Sequence, residues 1–172
     1  IEVSTDPIIR RKINKFTLKT VGDISWAEHI TIFTIPFRIA CDLNIPLIIW
    51  GENPQNENGG PKSKEKAINL DRKWLEEFGG LLGFRTTDLE NLMKIPKKKL
   101  LQYTFPSNAT INKKKIKGLF LGQFLPWDGH ENAFLARKHG FKFFKKDVEG
   151  SIVKYENLDN LQMRIHDYFK YL

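Results

Sequence analysis

The stretch from Ile45 to Gly60 constrains the fold more than any other part of the chain. Its apolar residues, Ile45 and then Leu47 to Trp50, show no alternation with polar side chains. A short continuous apolar run of this kind predicts a strand covered on both faces, as in a parallel α/β sheet. A polar loop closed by two glycines follows at once. Because ligands bind at the carboxyl edge of such sheets, the stretch predicts both a buried strand and a binding loop.

A second apolar run, Gly118–Leu125, predicts another buried strand, and it too ends in a polar turn. A proline at position 36 predicts a kink or interruption of the helix around it, near Ile35. We therefore expect one α/β domain over residues 1–172, a parallel sheet with flanking helices and a small helical insertion at about 62–105. The predicted helices run from Pro7 to Gly22 with Asp6 as N-cap, from Ser25 to about Leu43, from Asp88 to Lys94 with Thr87 as cap, from about Glu131 to Lys138, and from Glu156 to Leu172. The second has a predicted buried stripe of Ile30, Phe33, Phe37 and Ala40. The last has a predicted apolar face of Leu158, Leu161, Ile165, Phe169 and Leu172.

The net charge of +8 allows two interpretations. One is a nucleic acid or an anionic glycan carrier as partner. The other is a set of lysines on a solvated surface, which is favoured because the densest runs, Lys97–Lys99 and Lys113–Lys115, are not interleaved with aromatic residues.

The sequence holds no apolar run of about 20 residues and no signal-peptide pattern, so we expect a cytoplasmic protein without a membrane partner.

Candidate site residues gather in the two polar turns. Glu52 could act as a base, hold a metal or orient a substrate hydroxyl, and the nearby glycines allow backbone N–H groups to approach a ligand. The alternative is that Asn and Gly residues here only form turns. Trp127 offers a stacking face for a sugar or a base, and the alternative is a core aromatic beside a capping Asp128. The candidates are Gly51, Glu52, Asn53, Glu57, Gly59, Gly60, Trp127 and Asp128.

No metal site is expected from the sequence. The histidines His29, His130 and His166 are isolated, and no pair has zinc-ligand spacing on one helix face. The single cysteine, Cys41, excludes a disulfide within these residues and is predicted to be a small core residue.

The longer sequence motifs indicate more about the protein's family than the spacing of single residues does. The most specific are the strand end Ile49-Trp50-Gly51-Glu52-Asn53-Pro54-Gln55 and the turn Pro126-Trp127-Asp128-Gly129. Further segments are Gly22–Trp26, Ile32–Ala40, Asn44–Ile48, Gly59–Gly60, Gly122–Leu125, Tyr155–Asn160 and Ile165–Lys170. In this order, over nearly the whole chain, these motifs resemble the bacterial N-acetyl sugar amidotransferase family.

The resemblance implies a partial adenine-nucleotide α-hydrolase domain, Rossmann-like, of the PP-loop ATP pyrophosphatase group. Such enzymes use ATP and Mg²⁺ to adenylylate the acetamido oxygen of a free or nucleotide-linked N-acetyl sugar. Ammonia from a partner glutamine amidotransferase then displaces AMP and leaves an acetamidino group, for lipopolysaccharide O-antigen or flagellin glycan synthesis. The resemblance places Glu52, Asn53 and Glu57 near the nucleotide or the amide, and Trp127 and Asp128 near the sugar, with Glu52 and Asp128 as catalytic residues.

The chain also departs from the family pattern. The Ser-Gly-Gly-x-Asp-Ser phosphate loop and the amino-terminal cysteine pairs of the family do not occur in it, and Ser25 and Glu28 stand where relatives tend to carry cysteines. We therefore expect a fragment that is inactive as an ATP pyrophosphatase on its own. Unpaired strand edges in such a fragment would favour a homodimer or poor solubility.

Overall fold

A computed structural model describes residues 1–51, 72, 81–126, 128–148, 151, 153–155 and 161–170. Within these residues the protein is mixed α/β and mostly helical, with a two-stranded parallel sheet. None of the described helices is long and apolar enough to cross a bilayer. The elements are α1 (Pro7–Val21), α2 (Trp26–Leu43), β1 (Leu47–Trp50), α3 (Thr86–Met93), a 3-10 helix (Lys97–Tyr103), α4 (Asn108–Lys114), β2 (Lys117–Phe120), a short 3-10 helix (Leu121–Gln123), α5 (Gly129–Lys138) and α6 (Leu161–Lys170).

Helix α1 begins and ends where its sequence predicts. The Asp6 carboxylate accepts hydrogen bonds from the backbone N–H groups of Ile8 and Ile9 at 2.9 and 3.2 Å, which pairs two donors that the helix itself leaves free. At the other end Gly22 has φ of 75°, a left-handed conformation that glycine adopts without steric cost. Both predicted signals are confirmed.

Helix α2 is the centre of the packing, because its apolar stripe faces the sheet while its other sides contact α1, α4 and the longer 3-10 helix. All four predicted stripe residues are buried, and Cys41 is buried beside them as expected. A hydrogen bond from the Thr34 hydroxyl to the Gln102 carbonyl at 2.7 Å ties α2 to the 3-10 helix. The predicted stripe comprises Ile30, Phe33, Phe37 and Ala40.

The predicted interruption at Pro36 is wrong, since α2 continues from Trp26 to Leu43 across it. Proline has no N–H, so the carbonyl of Ile32, four residues earlier, loses its helical donor. The indole N–H of Trp50 donates to that carbonyl at 3.3 Å. A side chain from β1 thus replaces the hydrogen bond that Pro36 removes and lets the helix continue.

The two strands lie parallel in the register Leu47–Lys117 to Trp50–Phe120. One face of this sheet packs on α2, where the Trp50 ring lies 5.6 Å from that of Phe37 in a stacked arrangement. Gly118 lies under both rings. A Cβ at that position would come within 2.8 Å of Phe37 and 2.9 Å of Trp50, so this close approach requires glycine.

The expectation that β1 is covered on both faces is wrong. Its burial alternates: Trp50 is buried, whereas Leu47 and Ile49 are 46% and 57% exposed. The reason is that α2 covers only the face that carries Ile48 and Trp50. The second strand is also shorter than predicted, because the chain leaves the extended conformation at Leu121 and forms a turn of 3-10 helix.

Two predicted helices differ in their ends or faces. Helix α3 begins at Thr86, earlier than the predicted Thr87 cap, because the Asp88 carboxylate accepts a hydrogen bond from the Arg85 backbone N–H at 2.7 Å. In the tail, α6 is described from Leu161, and its predicted apolar residues Leu161 and Phe169 are exposed. The predicted part of the tail helix over 156–160 lies outside the described residues, as does most of 62–80 in the predicted insertion.

Replacement of Trp50 by Phe tests how α2 tolerates Pro36. We expect Trp50→Phe to lower the free energy of unfolding by about 2–3 kcal/mol, since it leaves the Ile32 carbonyl without its donor and removes part of a buried ring. In a Pro36→Ala background the backbone N–H returns, so the same substitution should cost about 1 kcal/mol less. Urea unfolding of the four proteins measures this coupling, and equal costs in both backgrounds would contradict it.

Replacement of Gly118 by Ala tests the packing under the two rings. We expect a loss of about 1–3 kcal/mol, because neither buried ring can move away without disturbing the core. Gly51→Ala is the matched control, since Gly51 is next to the same sheet and nothing lies within 4 Å of its added Cβ. Urea unfolding should separate the two variants; equal midpoints would show that the ring contacts yield easily.

Candidate functional site

The carboxyl ends of the two strands meet at one edge of the sheet. Trp50 pairs with Phe120, so the chain leaves β1 at Gly51 and leaves β2 at Leu121, side by side. The two apolar strands therefore end next to each other. This edge is where open parallel sheets bind their ligands.

The structure places two of the predicted site residues. Gly51 is exposed at the end of β1, and a Cβ added to it would have no non-neighbouring atom within 4 Å. Asp128 is exposed at the start of α5. The others, Glu52, Asn53, Glu57, Gly59, Gly60 and Trp127, lie outside the described residues, so their proposed roles stay predictions.

Asp128 has a structural role that its sequence context also predicts. Its carboxylate accepts a hydrogen bond from the Glu131 backbone N–H at 2.9 Å and so caps α5. A shallow depression runs along the first turns of this helix, lined by His130, Glu131, Asn132, Phe134 and Leu135. The capping prediction is confirmed, and one carboxylate oxygen of Asp128 is already engaged.

The described residues do not form a site for ATP and Mg²⁺. Magnesium in nucleotide sites is held by one or two carboxylates together with the phosphates, and the phosphates need a cradle of backbone N–H groups. Of the predicted site carboxylates the structure describes Asp128, and one of its oxygens caps α5. The phosphate-loop motif does not occur in the sequence. We therefore assign no nucleotide chemistry to the described residues.

A second group of polar side chains lies at the start of α2, where the sequence analysis predicted no functional site. Asp23, in the turn between α1 and α2, is only 3% exposed. The Nδ1 atoms of His29 and His166 lie 3.1 and 3.2 Å from its two carboxylate oxygens. The centroids of the two imidazole rings are 4.6 Å apart, and the ring planes meet at 69°. We call these three residues the Asp23 cluster.

The surroundings of Asp23 hold its carboxylate in one orientation. The Ser25 backbone N–H donates to its Oδ1 at 2.6 Å, and the Thr17 hydroxyl donates to its backbone carbonyl at 2.7 Å. The amide of Gln162 on α6 donates to the Ile24 carbonyl at 3.2 Å. Helix α6 is therefore fixed against this turn by a polar face.

The charge of Asp23 is stabilised despite its burial. Burial alone would raise the pKa of the carboxyl group, because it removes water from the charged form. Hydrogen bonds from His166 and His29, the positive charge available on His29, and the Ser25 N–H together outweigh this effect and hold the pKa of Asp23 far below its ordinary value. The carboxylate is therefore ionised throughout the physiological range.

The Asp23 cluster corrects the prediction that the histidines are isolated. Asp23 and His166 are separated by 143 positions, so spacing along one helix could not relate them. The available signal was on the tail helix, where Gln162 and His166 are four positions apart and thus share one face. That polar face turns toward the protein, while the apolar residues of α6 are partly exposed.

A further polar network fixes the first turn of α2. The Asn14 side chain donates to the Glu28 carboxylate at 2.7 Å and accepts from the Ala27 backbone N–H at 3.0 Å. Arg10 lies 3.6 Å from the same carboxylate. Glu28 thus has a structural role in joining α1 to α2.

Each of the two basic runs, Lys97–Lys99 and Lys113–Lys115, has one lysine that contacts another part of the fold. The Lys114 ammonium group donates to the Cys41 carbonyl and, at 2.9 Å, to the Asn44 side chain, where it satisfies the carboxyl end of α2. Lys99 lies 3.8 Å from the Asp6 carboxylate. One lysine of each basic run thus contributes to the packing of the fold.

No protein-family model matches the chain, and no curated protein sequence matches it either. The resemblance to sugar amidotransferases therefore depends on the motifs quoted above.

Asp23→Asn tests the charge in the cluster. A carboxyl group with a lowered pKa stabilises the fold above its ordinary value of 3.8, and this contribution is lost as the pH falls below it. We expect Asp23→Asn to cost about 2 kcal/mol near pH 6, where the carboxylate accepts its hydrogen bonds, and the difference from wild type to shrink below about pH 4. Urea unfolding as a function of pH measures this difference.

The matched control is Asp147→Asn, because the Asp147 side chain is 95% exposed and its ion pair with Lys154 lies at the surface. That variant should remain close to wild type at every pH. A difference for Asp23→Asn that stays constant down to pH 3 would contradict the proposed ionised, paired carboxylate.

Proposed function

We propose that this chain is part of an ATP-dependent N-acetyl sugar amidotransferase. It would convert the acetamido group of a sugar to an acetamidino group with ammonia from a partner glutaminase, in lipopolysaccharide O-antigen or related glycan biosynthesis. The observation that carries the proposal is the parallel pairing of β1 with β2. It brings Trp50-Gly51, within the first of the two most specific motifs, and Leu121, five residues before the second, to one edge of the sheet.

The same pairing supports a place for the chain within a PP-loop, Rossmann-like domain. Helix α2 runs directly into β1, and β1 pairs in parallel with a strand much later in the sequence, which is the connectivity of α/β sheets. Parallel sheets of that class carry helices on both faces. The face with Leu47 and Ile49, half-exposed here, is where the second layer would pack.

The proposed roles follow from the chemistry of each side chain. Glu52, Asn53 and Glu57 follow Gly51 in sequence, and their carboxylate and amide groups suit the orientation of a sugar amide by hydrogen bonds. Trp127 would offer a ring face to the sugar. Asp128 would contact a sugar hydroxyl through the oxygen that does not cap α5. Phosphate binding is left to residues other than those described.

Glu52→Gln tests this assignment in the full-length enzyme assayed with its glutaminase partner. We expect amidine formation to fall by about 100-fold or more, because the substitution removes a charge placed at the reacting group. Incorporation of heavy-nitrogen-labelled ammonium into the sugar, followed by mass spectrometry, measures the product. Glu2→Gln is the matched control, since Glu2 is exposed in the segment before α1.

Unchanged amidine formation in Glu52→Gln would remove Glu52 from the site. The wider proposal has a separate check in the gene. The reading frame upstream of Ile1 should encode the Ser-Gly-Gly-x-Asp-Ser loop, and a natural protein without that loop would contradict the proposed reaction.

A further inference from the structure

The Asp23 cluster joins groups that are chemically suited to one another and distant in the sequence. Asp23 lies in the turn before α2, His29 in the first turns of α2, and His166 on α6. One donor atom from each residue can be chosen so that all three lie within 4.8 Å of one another. Two imidazoles and one carboxylate form the ligand set of many three-ligand metal sites in proteins.

We propose that Asp23, His29 and His166 bind a divalent transition-metal ion, with Zn²⁺ as the best match. The ligands would be the Asp23 carboxylate and the Nδ1 atom of each imidazole. This inference does not depend on the proposed sugar amidotransferase reaction, because it concerns residues outside the two sheet-edge loops.

The distances agree with a shared ion. Ligands about 2.0–2.1 Å from a tetrahedral Zn²⁺ lie about 3.3 Å from each other. The two nitrogen-to-oxygen separations in the cluster are 3.1 and 3.2 Å. The imidazoles approach different oxygens of Asp23, so an ion between the rings can contact the carboxylate through one oxygen or both.

The choice of metal follows from the donors. Imidazole nitrogen suits Zn²⁺ and its transition-metal neighbours, whereas Ca²⁺ and Mg²⁺ prefer an all-oxygen set. The Asp23 carboxylate supplies the oxygen ligand, and its Oδ1 also accepts a hydrogen bond from the Ser25 backbone N–H at 2.6 Å. Three protein ligands leave a fourth position open for water or another molecule, as in exchangeable or catalytic zinc sites.

The Asp23 cluster has hydrogen bonds that would support a metal site, and its histidines can be reached by an ion from solvent. Ser25 N–H and the Thr17 hydroxyl fix the Asp23 residue, which is the role of outer-sphere hydrogen bonds in metal sites. The His29 and His166 side chains are 21% and 15% exposed, so an ion can enter from the histidine side. The carboxylate itself lies beneath them, 3% exposed.

The competing arrangement is a pair of hydrogen bonds without metal, in which each Nδ1–H donates to Asp23. The heavy-atom distances are the same in both cases, and the difference is whether Nδ1 carries a proton or a metal. The proposal is thus decided by whether the protein binds an ion at these atoms.

In the first experiment the metal-stripped protein is titrated with Zn²⁺ in a calorimeter, which gives the affinity and the stoichiometry. Elemental analysis of the product then counts the zinc bound per chain. Wild type should bind one ion per chain. His166→Gln and Asp23→Asn should each weaken binding by at least about 100-fold, since each removes a ligand. His139→Gln is the matched control, because His139 is exposed at the end of α5, and it should bind as wild type does.

The second measurement keeps the Asp23 cluster intact, so it holds even where a variant of the cluster fails to fold. Nitrogen NMR spectra of the wild-type histidine rings should show Zn²⁺ moving the Nδ1 signals of two of the four histidines. Spectra of His130→Gln and His139→Gln, both at exposed positions, identify the two signals that should not move. Absence of one-to-one binding, equal binding by His166→Gln, or perturbation of only His130 and His139 would each overturn the proposal.

Discussion

A single indole holds the helix and the sheet of this fold together. Trp50 ends β1, stacks on Phe37 and donates a hydrogen bond to the α2 carbonyl that Pro36 leaves free. The helix, the strand and its neighbouring strand depend on one another at this contact. The helix can continue across Pro36 because the strand supplies a donor, and the strand can approach that closely because its neighbour has Gly118 beneath both rings.

The one-sided sheet is a direct consequence of this contact. Because α2 covers only the Trp50 face, the side chains of Leu47 and Ile49 point away from the described core and are half-exposed. Purely parallel sheets carry helices on both faces, so this half-exposed apolar face could accommodate a second layer. This is the physical ground for placing the chain in a larger α/β assembly under the proposed function.

Sequence reasoning succeeded where the determining contact is local. Asp6 and Gly22 mark the ends of α1 through groups within a few residues, and the α2 stripe follows from helical periodicity. Sequence reasoning failed where a residue's contact partner is distant in the sequence. The effect of Pro36 depends on Trp50, and the pairing of His29 with His166 depends on how a tail helix docks. No window of adjacent residues contains these contacts.

The path of the chain places the Asp23 cluster and the sheet edge at the same end of the molecule. Helix α2 ends at Leu43, β1 begins at Leu47, and β1 then runs back along the helix until Trp50 meets Ile32. His29 lies one helical turn beyond Ile32 in that direction, about 5 Å along the axis. A metal ion held by His29 would therefore lie toward the edge where the loops after Trp50 and Phe120 begin. The Asp23 cluster and the carboxyl ends of the two strands thus lie toward the same end of α2, although their residues come from distant parts of the sequence.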